Sequence, residues 1–149
     1  MLITNHVLAG AAVGALFRRP AVAMGAGMIS HLLMDSMPHW GLPRSEAPDR
    51  HQRFLRVARP DGLAGLAIMT TLAVASGGRR RTVVAGMIGA VLPDIDKPAE
   101  HFFGRNPVPG PLQRFHDRIQ VEAAYLMPLE LAIAGTLAVA AVRRLRRGN

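Results

Sequence analysis

Four stretches of this chain are apolar on every face that a helix would have, and proline, glycine or arginine closes each one. They run from Val7 to Phe17, from Ala21 to about Ser36, from Leu63 to Ala75 and from Thr82 to Leu92. Between Leu63 and Ala75 only Gly65, Thr70 and Thr71 interrupt the apolar side chains. A helix apolar all round must be buried in protein or in lipid. At 149 residues the chain is too short to bury several such helices in its own interior. The expectation is a single all-α domain over residues 1–149: about five mostly apolar helices, embedded in a membrane.

Other features agree. Aromatic residues make up only 5% of the chain while Gly and Ala are abundant, which suits helices that approach closely. There is no Cys, so neither a disulfide nor a thiolate metal site is available. The net charge of +8 is carried by arginines, with Lys97 the single lysine. Such a charge can mark a nucleic-acid binder or an anionic-lipid surface. The arginines stand in turns and in the tail, however, without a basic recognition helix or interleaved aromatics, so nucleic acid is not an expected partner. The first residues lack a basic n-region, and Arg18-Arg19-Pro20 follows the apolar run, so no secretory signal is expected.

Thr4 or Asn5 can cap the first helix. Pro20 suits the first turn of the second, and Pro38 ends it. Residues 38–60 read as a long polar loop with a short helix near His51 to Val57. Asp61 is placed to cap the third helix, which Gly77-Gly78 stops. Pro93 ends the fourth, and a second long loop holds Pro98, Pro107, Pro109 and Pro111. The last helix is expected from Leu112 to about Leu145, with a kink at Pro128. Its segment from Ala123 to Val142 comes nearest to the roughly 20 apolar residues of a membrane span.

Short connections make antiparallel neighbours. Helices one and two join at Arg18-Arg19, three and four join at Arg79 to Arg81, and the last ends at Arg143 to Arg147. The three basic clusters can therefore share one end. The opposite end, with the two long loops, receives His6, Asp35, His39, Asp61, Asp94, Asp96 and His116. Imidazoles and carboxylates gathered from several helices are what a divalent-metal site requires.

The individual residues leave alternatives open. His31 and Asp35 stack on one helix face, as two ligands of one ion or as a hydrogen-bonded pair. Asp94 and Asp96, boxed by Pro93 and Pro98, are either ligands or ordinary turn aspartates. A helix C-terminus repels carboxylates unless a cation compensates, which favours a metal. His6 reads as a ligand or a first-turn histidine, and His39 as a ligand or a catalytic acid. Trp40 can anchor at a membrane interface, Asp117 can support His116, and His101 is a loop-borne alternative. His51, among arginines, reads as surface. Glu130 is either a functional carboxylate within an apolar helix or the partner of an arginine.

The chain resembles the predicted membrane-bound metal-dependent hydrolases, including the LexA-regulated inner-membrane type, which are distantly similar to zinc-dependent phospholipase C. The resemblance rests on Asn5-His6, Ser30-His31-Leu32-Leu33-Met34-Asp35 with Pro38-His39-Trp40-Gly41, Gly89-Ala90-Val91-Leu92-Pro93-Asp94-Ile95-Asp96, and His116. One departure is present. The family commonly carries His-Arg-Gly-x-Thr-His-Ser after the paired aspartates, and here Phe115-His116-Asp117-Arg118 stands in that region. A ligand position is then either missing or supplied by His101 or His39.

Residues and resemblance together give one expectation. His6, His31, Asp35, Asp94, Asp96 and His116 hold one or two divalent ions, zinc or manganese, with Asp94, Asp96 and His39 as catalytic groups. The substrate is a phosphoester or a lipid-linked, phosphate-bearing molecule at a bacterial-type cell membrane, held by Arg44, Arg105, Arg114 or Arg118. The alternative is a non-enzymatic membrane protein for metal handling or ion transport, with Glu130 and His31 along its path.

Overall fold

The computed structural model describes residues 1–42 and 49–146. Among these lie seven α-helices and one pair of two-residue strands. The order is α1 (Ile3–Gly14), α2 (Pro20–Asp35), β1 (Pro38–His39), α3 (Arg50–Ala75), α4 (Arg80–Val91), α5 (Asp96–Phe103), α6 (Gly110–Ile119), β2 (Val121–Glu122) and α7 (Met127–Arg146). The all-α class holds, with more helices than the sequence suggested.

The centre is a trio in which α4 lies against both α1 and α2. Glycines let the backbones touch. A Cβ on Gly10 would sit 2.6 Å from the Gly86 carbonyl oxygen, and one on Gly14 would lie 3.1 Å from the Val83 Cα. Gly27 of α2 meets Gly86 and Ala90 in the same way. Close backbone approach is the use of small residues anticipated from composition. Around this trio α3 and α7 pack against α1, and Val7, Ala11, Ala15, Leu72, Val83, Met87, Ala141 and Leu145 close the apolar core.

α3 and α7 keep much of their apolar surface outside: Leu63, Leu66, Val74 and Leu131 are exposed. The segments His51–Ala75 and Ala124–Arg146 are long and apolar enough to cross a membrane. By contrast α1 and α4 have 12 residues each, about 18 Å of helix, which is short of a bilayer core.

Three sequence expectations change. The third helix does not begin at Asp61 but runs unbroken from Arg50 through Pro60. Its first part is amphipathic, with Phe54, Leu55, Val57 and Ala58 half-buried and Arg53, Arg56 and Arg59 exposed, and burial outweighs the one hydrogen bond that Pro60 removes. Asp61 caps a different helix. It accepts hydrogen bonds from the Ile3 N–H at 2.6 Å and the Thr4 N–H at 3.2 Å, serving the free donors at the start of α1 in place of Thr4 or Asn5.

The last helix is two. Between α6 and α7 the chain becomes extended, because β2 pairs in parallel with β1, Pro38 opposite Val121 and His39 opposite Glu122. Pro128 then falls in the first turn of α7, where its missing N–H costs nothing. The second long loop contains α5. Pro43, Arg44 and Pro48 of the first loop, and Arg147 of the tail, lie outside the described residues.

The ends sort as the helix count requires. Arg79, in the α3–α4 turn, donates to the Ala15 carbonyl at 2.5 Å beside the α1–α2 turn. Leu145 of α7 packs in the same cluster as Ala15 and Val83. Arg18, Arg19, Arg80, Arg81, Arg143 and Arg144 are exposed there.

Candidate metal centre

At the opposite end, four residues from three segments converge. His31 and Asp35 come from the last turn of α2, Asp94 from the turn of 3-10 helix that follows α4, and His116 from α6. Each offers one ligand atom, and all four atoms lie within 4.8 Å of one another. The group is buried and could hold a metal ion.

The geometry is that of donors facing a common point. His31 Nε2 and His116 Nε2 are 3.0 Å apart, and lie 3.2 Å and 3.1 Å from Asp35 Oδ2. Asp94 Oδ1 completes the set at 4.0 Å from His31 and 3.8 Å from His116. Zinc bonds of about 2.0–2.1 Å in tetrahedral array separate ligand atoms by about 3.3–3.4 Å, so small adjustments would suffice.

Protonation points the same way. His31 Nδ1 is 2.7 Å from the Ala90 carbonyl oxygen, a group that can only accept. Nδ1 therefore carries a proton in this contact, which leaves Nε2 as the nitrogen directed at His116 and Asp35 and able to bind a cation. A histidine oriented by a backbone carbonyl, with its other nitrogen free, is the usual arrangement of a metal ligand. α4 thus contributes twice: Ala90 fixes the tautomer of His31, and Pro93 ends the helix in time to bring Asp94 inward.

Asp94 already has a cation. Lys97 Nζ donates to its Oδ1 at 2.6 Å. Burial alone would push the Asp94 carboxyl up, but Lys97, helped by His31 and His6, outweighs it and holds the group well below the ordinary carboxylate range. The same pairing works against burial at Lys97 and raises its pKa.

The second oxygen of Asp35 faces another pair of imidazoles. His6 Nε2 lies 3.2 Å from Oδ1 without hydrogen-bond alignment, and His39 Nε2 lies 4.0 Å away. Met1 N donates to the same oxygen at 3.4 Å. His6 stacks on His31 with ring centroids 3.9 Å apart. Burial lowers the pKa of His39.

His39 owes its place to the strand pair and to α7. Its carbonyl accepts from Ala123 N–H at 2.9 Å, and the next N–H, of Trp40, donates to Glu130 Oε1 at 3.0 Å. The other Glu130 oxygen accepts from Asn5 Nδ2 at 2.7 Å and Leu2 N–H at 3.1 Å. Glu130 therefore joins α7, α1 and β1 through hydrogen bonds, with no arginine among these partners.

Asp96 is buried but outside the tight group. Its Oδ2 accepts from Gln113 Nε2 at 3.0 Å, while Oδ1 has no hydrogen-bond partner among the described residues. His101 is not part of the group and lies 5.9 Å, ring to ring, from the exposed His51. Arg105, Arg114 and Arg118 are exposed. The last two are four apart on α6, two residues either side of His116, hence on the face away from it. Trp40 is buried, so it is not an interface anchor.

Two contributors escaped the sequence reading. Lys97 carries a signal in hindsight, as the single lysine, three residues beyond Asp94. Gln120 carries none: its Nε2 lies 3.3 Å from Asp35 Oδ2 and 3.2 Å from His116 Nε2, an arrangement only the fold creates. No protein-family model, curated protein or solved structure matches the chain.

Proposed function

We propose that the protein is a membrane-bound, metal-dependent hydrolase acting on a phosphoester or another lipid-linked, phosphate-bearing substrate. The observation that carries this reading is the convergence of His31, Asp35, Asp94 and His116 on one buried point. Two histidines and two carboxylates suit zinc, with manganese also accommodated. A divalent ion held there would supply the Lewis acidity that hydrolysis of a phosphoester uses.

The chain's own residues would do the rest. Ala90 keeps the lone pair of His31 directed inward, and Gln120 steadies Asp35 and His116. Lys97, partly exposed and already beside Asp94, is the side-chain cation placed to meet a substrate phosphate, in place of the exposed Arg105, Arg114 and Arg118. Asp96, with one carboxylate oxygen free of hydrogen bonds, is placed two residues from Asp94 to accept a proton from water.

Membrane attachment is supported by the exposed apolar surface of α3 and α7. A shallow apolar groove lined by Leu66, Ala67, Thr70, Thr71, Val74 and Ala75 runs on α3, and so large an apolar surface calls for lipid or a partner. The engagement of Glu130 in hydrogen bonds to Asn5, Leu2 and Trp40 favours an enzyme over an ion conduit, since that carboxylate is occupied with structure.

Metal content of detergent-purified protein tests the proposal. Wild type should carry zinc or manganese that is lost in His31→Ala, and hydrolysis of bis-(p-nitrophenyl) phosphate or of phospholipid vesicles should vanish with it. No bound metal after reloading would overturn the reading.

A further inference from the structure

The four-residue group leaves two buried histidines without a task. His6 and His39 are fully buried, and His6 Nδ1, His6 Nε2 and His39 Nε2 have no hydrogen-bond partner among the described residues. An unpaired polar group in the interior is costly, so such groups mark a missing partner. Both Nε2 atoms face the one oxygen of Asp35 that the four-residue group does not use, at 3.2 Å and 4.0 Å.

The tautomer of His39 sharpens the point. Its Nδ1 donates to the Met37 carbonyl at 2.8 Å, so Nε2 of the neutral ring holds a bare lone pair. His39 Nε2 and Asp35 Oδ1 then stand 4.0 Å apart with no hydrogen bond between them, and the Met1 amino group that donates to Oδ1 at 3.4 Å leaves the His6 and His39 Nε2 atoms unpartnered. A divalent cation beside Oδ1 would serve both imidazoles at once. Asp35 divides its oxygens cleanly, Oδ2 toward His31 and His116 and Oδ1 toward His6 and His39. The stacking of His6 on His31 sets their Nε2 atoms side by side, one at each oxygen.

We infer that His6, His39 and Asp35 Oδ1 form a second divalent-metal position, bridged to the first through the Asp35 carboxylate. The inference builds on the reading of the first site as a metal centre. Two ions joined by a carboxylate lie about 3.5–4 Å apart, the spacing at which paired ions act on one phosphoryl group. It makes His39 a ligand rather than an acid, and it explains the care with which Ala123, Met37 and Glu130 hold the His39–Trp40 backbone. His39 and Trp40 are joined to α7 and β2 so that one imidazole nitrogen meets one carboxylate oxygen.

The test uses manganese as probe. Protein stripped by chelator and reloaded with Mn(II) is assayed for metal by plasma mass spectrometry and for spin coupling by electron paramagnetic resonance. Two Mn per chain with an exchange-coupled spectrum are expected in wild type. His6→Gln and His39→Ala should each fall to one Mn with an uncoupled six-line signal. The wild-type spectrum decides even where a variant folds poorly. One uncoupled Mn per chain, unchanged in both variants and lost in His31→Ala, would overturn the second position and leave the first standing. Two Mn retained in both variants would also overturn it, and no Mn in wild type would overturn both readings.

Discussion

The two ends of the helix bundle are equally polar in sequence and opposite in structure. At one end Arg18, Arg19, Arg80, Arg81, Arg143 and Arg144 are exposed, long side chains of one sign that reach outward. At the other, His6, His31, Asp35, His39, Asp94 and His116 are buried against one another. Length and chemistry account for the difference. An arginine on a flexible stem can leave the helix end and stay hydrated while its methylenes cover apolar surface. Histidine and aspartate are short, so once α1, α2 and α4 are drawn together by their glycines, these side chains are caught between them. Buried polar groups then need partners, and Asp35 supplies them at the centre.

The contrast can be broken most severely at Asp35. Asp35→Asn keeps the shape but removes the charge to which four imidazoles and Gln120 turn. Metal should be lost entirely and stability should fall by about 3 kcal/mol or more, as for other broken buried ion pairs; metal analysis and thermal unfolding read both. Unchanged metal content would show that Asp35 is not the hub.

A smaller effect is expected at Lys97. Lys97→Met leaves Asp94 without its cation, so the metal-free protein should lose about 1–2 kcal/mol, between the values of exposed and buried pairs. Divalent metal should restore most of that loss and bind several-fold tighter, because Lys97 no longer competes for Asp94 Oδ1. Titration calorimetry that shows equal affinity in the variant would remove Asp94 from the ligand set. The smallest change belongs at the other end. Arg143→Gln with Arg144→Gln should leave stability within about 0.5 kcal/mol and metal content unaltered, and a loss of metal there would mean that the two ends are coupled.

Much of the site was legible before the fold was known because helices impose a simple count. The tight turns at Arg18-Arg19 and Arg79–Arg81 force alternation, and alternation alone sends His6, Asp35 and Asp94 to one end. Less of the fold was legible where a segment's structure depends on distant partners. Val121 and Glu122 look like part of a long helix until Pro38 and His39 stand beside them, and the short helix near His51 to Val57 looks separate from the one after Pro60 until Phe54 and Leu55 find something to cover.

What the sequence by itself determined is the set of apolar helices, their alternation and the end at which imidazole and carboxylate collect, since these follow from short-range spacing and from burial. What only the tertiary structure decided is the division of labour within that end. Asp35 gives one oxygen to His31 and His116 and the other to His6 and His39, Lys97 neutralises Asp94, and Asp61 caps the helix that bears His6. The physical reason is range. Helical periodicity acts over a few residues and is written in the chain, whereas the partner of a carboxylate oxygen or an imidazole lone pair is whichever group packing brings within about 3 Å.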